Sequence, residues 1–144
     1  MYRIREMSID DYDAVRALWE ATPGVSVRDA DSHASIARYL VRNPGLSVVA
    51  IADDVVIGCA MAGHDGRRGY LQHVVVLPTF RRRGIANAMV EHILSALEAL
   101  DIRKSHLEVL CTNTDGATYW EGRGWQRRDD IARYSIIRNA AANC

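Results

Sequence analysis

The chain has 144 residues, 49% of them apolar, which suits one domain (residues 1–144) with a real core. Its 18 basic and 18 acidic residues cancel, which argues against a general nucleic-acid binder, since such a protein carries a strong basic excess. Three cysteines without metal-ligand spacing, no export signal and no apolar run of membrane-spanning length point to a reducing cytoplasm and away from metal and membrane.

In chain order, "YRIRE" alternates as a first strand. "SIDDYDAVRALWEA" follows as a helix, with Ser8 as N-cap and Asp11 completing a box-like start. Tyr12, Val15, Leu18 and Trp19 form its apolar stripe. "TPGVSVRDADS" reads as a loop, and "SHASIARYLVR" as a second helix stopped at Asn43-Pro44-Gly45. "LSVVAIA" and "VVIGCAMAG" form a hairpin around Asp53-Asp54, and "HDGRRG" is a further turn. "YLQHVVVL" is the next strand, and Ile85 to Leu100 the longest helix, striped by Ile85, Met89, Ile93, Leu97 and Leu100. "SHLEVL" reads as a strand and "TDGATYWEGR" as a short helix, while "WQRRD" and "RYSIIR" read as a closing hairpin. The order predicts an α+β fold: a mostly antiparallel sheet with one parallel pair across the long helix, and about four helices.

Arg81, Arg82 and Arg83 stand side by side before Gly84 at the doorway of that helix. Adjacent cations repel, and glycine is a poor helix former, so an anion belongs there. A helix N-terminus offers unpaired N–H groups and partial positive charge. Glycine lets a phosphate approach the main chain, and arginines add charge-assisted bonds. The second and third glycines of a dinucleotide fingerprint are missing, as is the lysine-serine ending of a P-loop.

"VVVLPTFRRRGIA" resembles the acetyl-CoA segment of the GNAT-type N-acetyltransferase superfamily, with Arg81, Gly84 and Ala86 on its pattern. "NTDGATYWEGRGW" resembles the later motif of that superfamily through Asn113, Glu121, Gly124 and Trp125. The resemblance covers essentially the whole chain. It implies transfer of an acetyl group from acetyl-CoA, as cosubstrate, to a primary amine by direct attack. Main-chain groups of Val74, Val75 and Val76 would pair with the pantetheine arm. Amides of Arg82, Arg83, Gly84, Ile85 and Ala86, with Arg81, would hold the pyrophosphate, and Asn113 would bond the pantetheine or fix its loop.

The same pattern puts a tyrosine, as general acid, four residues before the glycine; here Trp120 stands there and Tyr119 beside it. An indole N–H donates a hydrogen bond but is no practical acid, and Tyr119 points about 100° away around a helix. This departure keeps open an alternative: a CoA-binding protein with little or no turnover. For the base, "LEV" before Asn113 resembles the ribosomal-protein N-terminal acetyltransferases and nominates Glu108, with His73 second. The acceptor is a small molecule or a peptide N-terminus. The closing hairpin and a free sheet edge would suit a homodimer.

Overall fold

The computed structural model describes residues 1–139 and 143–144. Five strands form one sheet in the order β1 (Arg3–Glu6), β2 (Val48–Ala52), β3 (Val55–His64), β4 (Gly69–Val76), β5 (Ser105–His106). The first four pair antiparallel, and β4 and β5 pair parallel across the long helix α3 (Ile85–Ala99). Helices α1 (Tyr12–Ala21), α2 (His33–Arg42) and α4 (Thr114–Gly122) complete the fold, as the resemblance implies.

Local chemistry sets the boundaries. The Ser8–Asp11 capping box forms on a 3-10 turn, Ile9–Asp11, that leads into α1. Asp53 and Asp54 both take positive φ, 50° and 62°, as a two-residue turn matched to the strand twist requires. A Cβ on Gly69 would lie 2.6 Å from Leu97 Cδ1 and 2.5 Å from Ser105 Oγ. Only glycine therefore lets α3 and β5 close on the start of β4.

The sheet is covered on both faces, so β2 is buried at every position. On one face α1 and α2 bury Val15, Leu18, Trp19 and Ile36 against Val49, Met61 and Val75. On the other α3 buries Ile85, Met89, Ile93 and Leu97 against Ala50, Leu71 and Val76. Each such aliphatic side chain contributes roughly 1.5–3 kcal/mol.

Three expectations fail in detail. Leu100 is 54% exposed rather than part of the α3 stripe, because the helix ends at Ala99 and the chain reverses at Asp101 (φ 63°). Ile102 turns in instead and is buried. The strand expected over "SHLEVL" is limited to Ser105–His106. The closing hairpin is not formed among the described residues: 126–139 carry no strand. With β5 ended at His106 there is no long edge to extend, and Arg127–Asp129 and Arg128–Asp130 close local ion pairs instead. Among the described residues, no helix is long and apolar enough to cross a membrane, and no cluster of three metal-ligating side chains forms.

Candidate active site

The site begins where two strands part. Pairing of β4 with β5 covers Gly69↔Ser105 and Tyr70↔His106 and stops there, while β4 runs on to Val76. Beyond Tyr70 that edge of β4 has no neighbouring strand among the described residues. Leu77 N–H donates to Ile57 O on β3 at 2.8 Å. By the alternation of an antiparallel ladder, Val76 turns its own N–H and C=O toward the gap. Its carbonyl accepts from Arg81 Nε at 3.1 Å, so Arg81 bridges the mouth of the gap. Val75 is in register with Cys59 and faces β3, so Val76 offers its main chain to the gap and Val75 does not.

The gap leads to the start of α3. Gly84 is the N-cap, left-handed at φ 77°, and a Cβ there would meet nothing within 4 Å. The first helical bond runs from Ala88 N–H to Gly84 O. The amides of Ile85, Ala86 and Asn87 therefore have no intrahelical acceptor. Arg82 is also left-handed, at φ 62°. The three arginines relieve their repulsion by diverging: Arg81 bonds the strand, and Arg83 lies over the Phe80 ring at 5.0 Å. All three, with Gly84, are exposed, so the open hollow before α3 is lined by amides and cations. This arrangement fits a pyrophosphate.

On the far side of the gap, Asn113 caps α4, its Oδ1 accepting from Gly116 N–H at 2.9 Å. Asn113 thus holds the start of α4. Tyr119 donates its hydroxyl to Asn87 Oδ1 in the first turn of α3 at 2.5 Å. Burial holds this phenol above its ordinary pKa, with Arg123 opposing. Trp120 packs edge-on against both Tyr119 and Trp125, with centroids 5.0 and 5.2 Å away. Glu108 lies past the end of β5, 72% exposed at its side chain and paired with Arg133.

His73 occupies the irregularity of β4. Register runs Cys59↔Val75 and then Met61↔Gln72, so His73 and Val74 face the single residue Ala60: a β-bulge. His73 adopts φ 49°, a strained conformation away from glycine. The bulge puts two consecutive side chains on one face. Gln72 shares the face of its partner Met61, and the His73 ring lies 4.7 Å from Trp19 of α1. His73 Nε2 is 2.8 Å from Asp31 Oδ1. Asp31 lies in the 3-10 turn Asp29–Asp31, between α1 and α2, and is itself buried. Sequence reasoning did not single it out: its partner is 42 positions away, and "DADS" signals only a turn. Trp19, on the apolar stripe of α1, is fully buried core.

The model of the "Acetyltransferase (GNAT) family" matches residues 12–125. An acetyltransferase of Pectobacterium atrosepticum is 38% identical over 106 residues, covering 74% of each chain. An acetyltransferase of Sodalis glossinidius is 32% identical over 128 residues, covering 89% of each. Among solved structures, the PaiA N-acetyltransferase of Thermoplasma acidophilum with coenzyme A superposes with TM-score 0.77 at 20% identity, over 91% of this chain and 93% of that one. AAC(6')-Iy with the bisubstrate analogue CoA-S-monomethyl-acetylneamine gives 0.74 at 24% identity, over 95% and 99%. Naa50 of Arabidopsis thaliana with the bisubstrate analogue CoA-Ac-MVNAL gives 0.71 at 18%, over 95% and 91%.

Proposed function

The chain belongs to the GNAT family and is therefore an acetyl-CoA-dependent acetyltransferase, and from that premise we propose that it acetylates a primary amine by direct attack in a ternary complex. The observation that carries this reading is the continuity of the gap with the hollow. The unpaired edge of β4 ends at Val76, and after the 3-10 turn Pro78–Phe80 the chain reaches the amides at the start of α3.

The pantetheine arm lies along β4 beside Val74 and Val76, and the pyrophosphate sits at Arg82 to Ala86. A main-chain N–H of the Val74–Val76 stretch stabilises negative charge developing on the acetyl oxygen. Such a fixed donor needs no reorganisation as the charge appears. An alkyl ammonium has a pKa near ~10, and only the neutral amine attacks, so a base is required. Glu108 and His73 are the candidates.

The leaving group needs less help. A thiol has a pKa near ~8.5, so the thiolate departs readily and takes its proton from solvent. Trp120 contributes packing and at most an indole hydrogen bond. Tyr119 is engaged by Asn87, which supports a role in joining α4 to α3.

The test is a screen for CoA release with acetyl-CoA and a panel of amines, including aminoglycosides, polyamines and peptides with free N-termini. Turnover with at least one acceptor is expected. Tight acetyl-CoA binding by calorimetry with no release across the panel would support the alternative of a CoA-binding protein without turnover.

A further inference from the structure

The Asp31–His73 pair ties a turn between α1 and α2 to the one distorted point of the strand that borders the site. We propose that it is the proton-accepting device of the reaction, with His73 as base and Asp31 as its positioning residue. This inference rests on the acetyltransfer reading above.

The argument starts from hydrogen-bond roles. An ionised Asp31 only accepts, so His73 Nε2, 2.8 Å away, carries a hydrogen. In neutral imidazole the lone pair then sits on Nδ1. Asp31 is itself held from two sides: its Oδ2 accepts from Arg28 N–H at 3.0 Å, and its carbonyl accepts from the Tyr12 hydroxyl at 2.6 Å. The carboxylate is therefore a fixed orienter. The Trp19 ring packs against the imidazole, tilted by 49° with centroids 4.7 Å apart, and the side chains of His73 and Asp31 are only 19% and 10% exposed. Surface histidines have no such frame.

The bulge supplies the second argument. A regular strand would alternate Gln72 and His73 between faces. The extra residue turns both to the α1–α2 face, at a backbone conformation that costs energy away from glycine. Val74, beside the proposed site of the thioester, follows directly. The pair thus stands on the side of the sheet opposite α3, where an acceptor can approach without crossing the cradle.

The step balances as follows. The neutral amine nitrogen bonds to the acetyl carbon, and its proton passes to His73 Nδ1. The carbon–sulfur bond breaks, and sulfur leaves with the electron pair as thiolate. The imidazolium returns its proton to solvent. The groups facing His73 are Asp31 from the turn, Trp19 from α1 and the Cys59 thiol from β3, which donates to the His73 carbonyl at 3.7 Å. Arg16 reaches the pair only through the Tyr12 hydroxyl, at 2.8 Å.

Two measurements test this. The first needs no turnover: nitrogen NMR of the free protein should find neutral His73 protonated on Nε2, and an Nδ1–H tautomer would overturn the proposal. The second uses the best acceptor found. His73→Gln should lower kcat roughly a hundredfold or more, with acetyl-CoA affinity unchanged. Asp31→Asn should lower kcat with acetyl-CoA affinity unchanged, and Asp31→Glu, which keeps the accepting carboxylate, should recover part of the loss. If the pair only pins the turn to the sheet, His73→Gln and Asp31→Asn lose thermal stability but keep the wild-type kcat, and the inference falls. If the wild-type protein turns over no amine, the acetyltransfer reading fails, and the tautomer still decides the pair.

Discussion

Replacing Gly84 separates two effects that usually travel together, strain and obstruction. Gly84 sits at φ 77°, ψ 10° with open space where a Cβ would go. A substituent therefore clashes with nothing in the free protein, and its cost there is conformational. That cost is about 1–2 kcal/mol for an ordinary residue, rising toward ~3 for a β-branched one. A domain with a stability of roughly 5–15 kcal/mol survives it. Binding is different, because the open space is where a phosphate would approach. Losing one charge-assisted hydrogen bond removes about 1.5–3 kcal/mol, or roughly ten- to hundredfold in affinity.

Gly84→Val should thus stay folded and bind acetyl-CoA at least tenfold more weakly. Gly84→Asn is the sharper variant. Asparagine tolerates the left-handed conformation, so most of the strain disappears while the side chain still fills the hollow. Calorimetry with acetyl-CoA, alongside thermal denaturation, reads both terms. Near-native melting with lost affinity in Gly84→Asn is the expected result. Wild-type affinity in a folded Gly84→Asn would refute the cradle, and would leave Gly84 as a helix start that merely needs positive φ.

Further expectations follow from the same geometry. Acetyl-CoA affinity should fall as salt rises, because Arg81, Arg82 and Arg83 are exposed; a flat response in a salt series would leave the phosphates to the amides alone. Trp120→Tyr should maintain or raise turnover and Tyr119→Phe should be nearly silent in steady-state kinetics; a large loss in Tyr119→Phe would make that phenol the acid. Thiol titration of the native protein should label Cys111 and Cys144 quickly, while Cys59, buried with its thiol pushed up to about 12, reacts only on unfolding. Hydrogen bonds from Arg5 hold the Asp11 carboxyl below its ordinary pKa against the opposing effect of burial. Its contribution is therefore present above the unfolded carboxylate range and lost as pH falls through the folded value. Asp11→Asn should cost about 1.5–3 kcal/mol near neutral pH and flatten the acid side of a melting-temperature profile.

What could be read from the sequence follows from how far apart the interacting residues lie. The helices and first four strands were legible because their signals are local: apolar spacing, the Ser8 cap, the Asp53-Asp54 turn. The exposed arginine and glycine start of α3 was legible for the same reason, since Arg81 to Ala86 are consecutive. The closing hairpin was misread because "RYSIIR" alternates like a strand but has no edge to pair with once β5 ends at His106. Its side chains bear this out: Tyr134 and Ile136 are 92% and 86% exposed.

The bulge lay beyond sequence reasoning for a more basic reason. Nothing in "YLQHVVVL" distinguishes a regular strand from a bulged one, because a bulge is a relation between two strands. Only the register against β3 shows that His73 and Val74 share one partner. Had β4 been regular, the period of two would have placed His73 with Leu71 on the α3 face, far from Asp31. The single extra residue brings a titratable side chain to the α1–α2 face and leaves Val76 facing the gap on the same strand. Deleting His73 would remove the bulge without shifting the register: Met61↔Gln72 and Cys59↔Val75 persist, with Val74 alone opposite Ala60. The edge at Val76 is then unchanged, so the deletion, like His73→Gln, should cost turnover and spare acetyl-CoA affinity. Calorimetry on the two variants side by side makes the comparison. A deletion variant that stays folded but loses acetyl-CoA affinity would show that the bulge also sets the cofactor edge of β4.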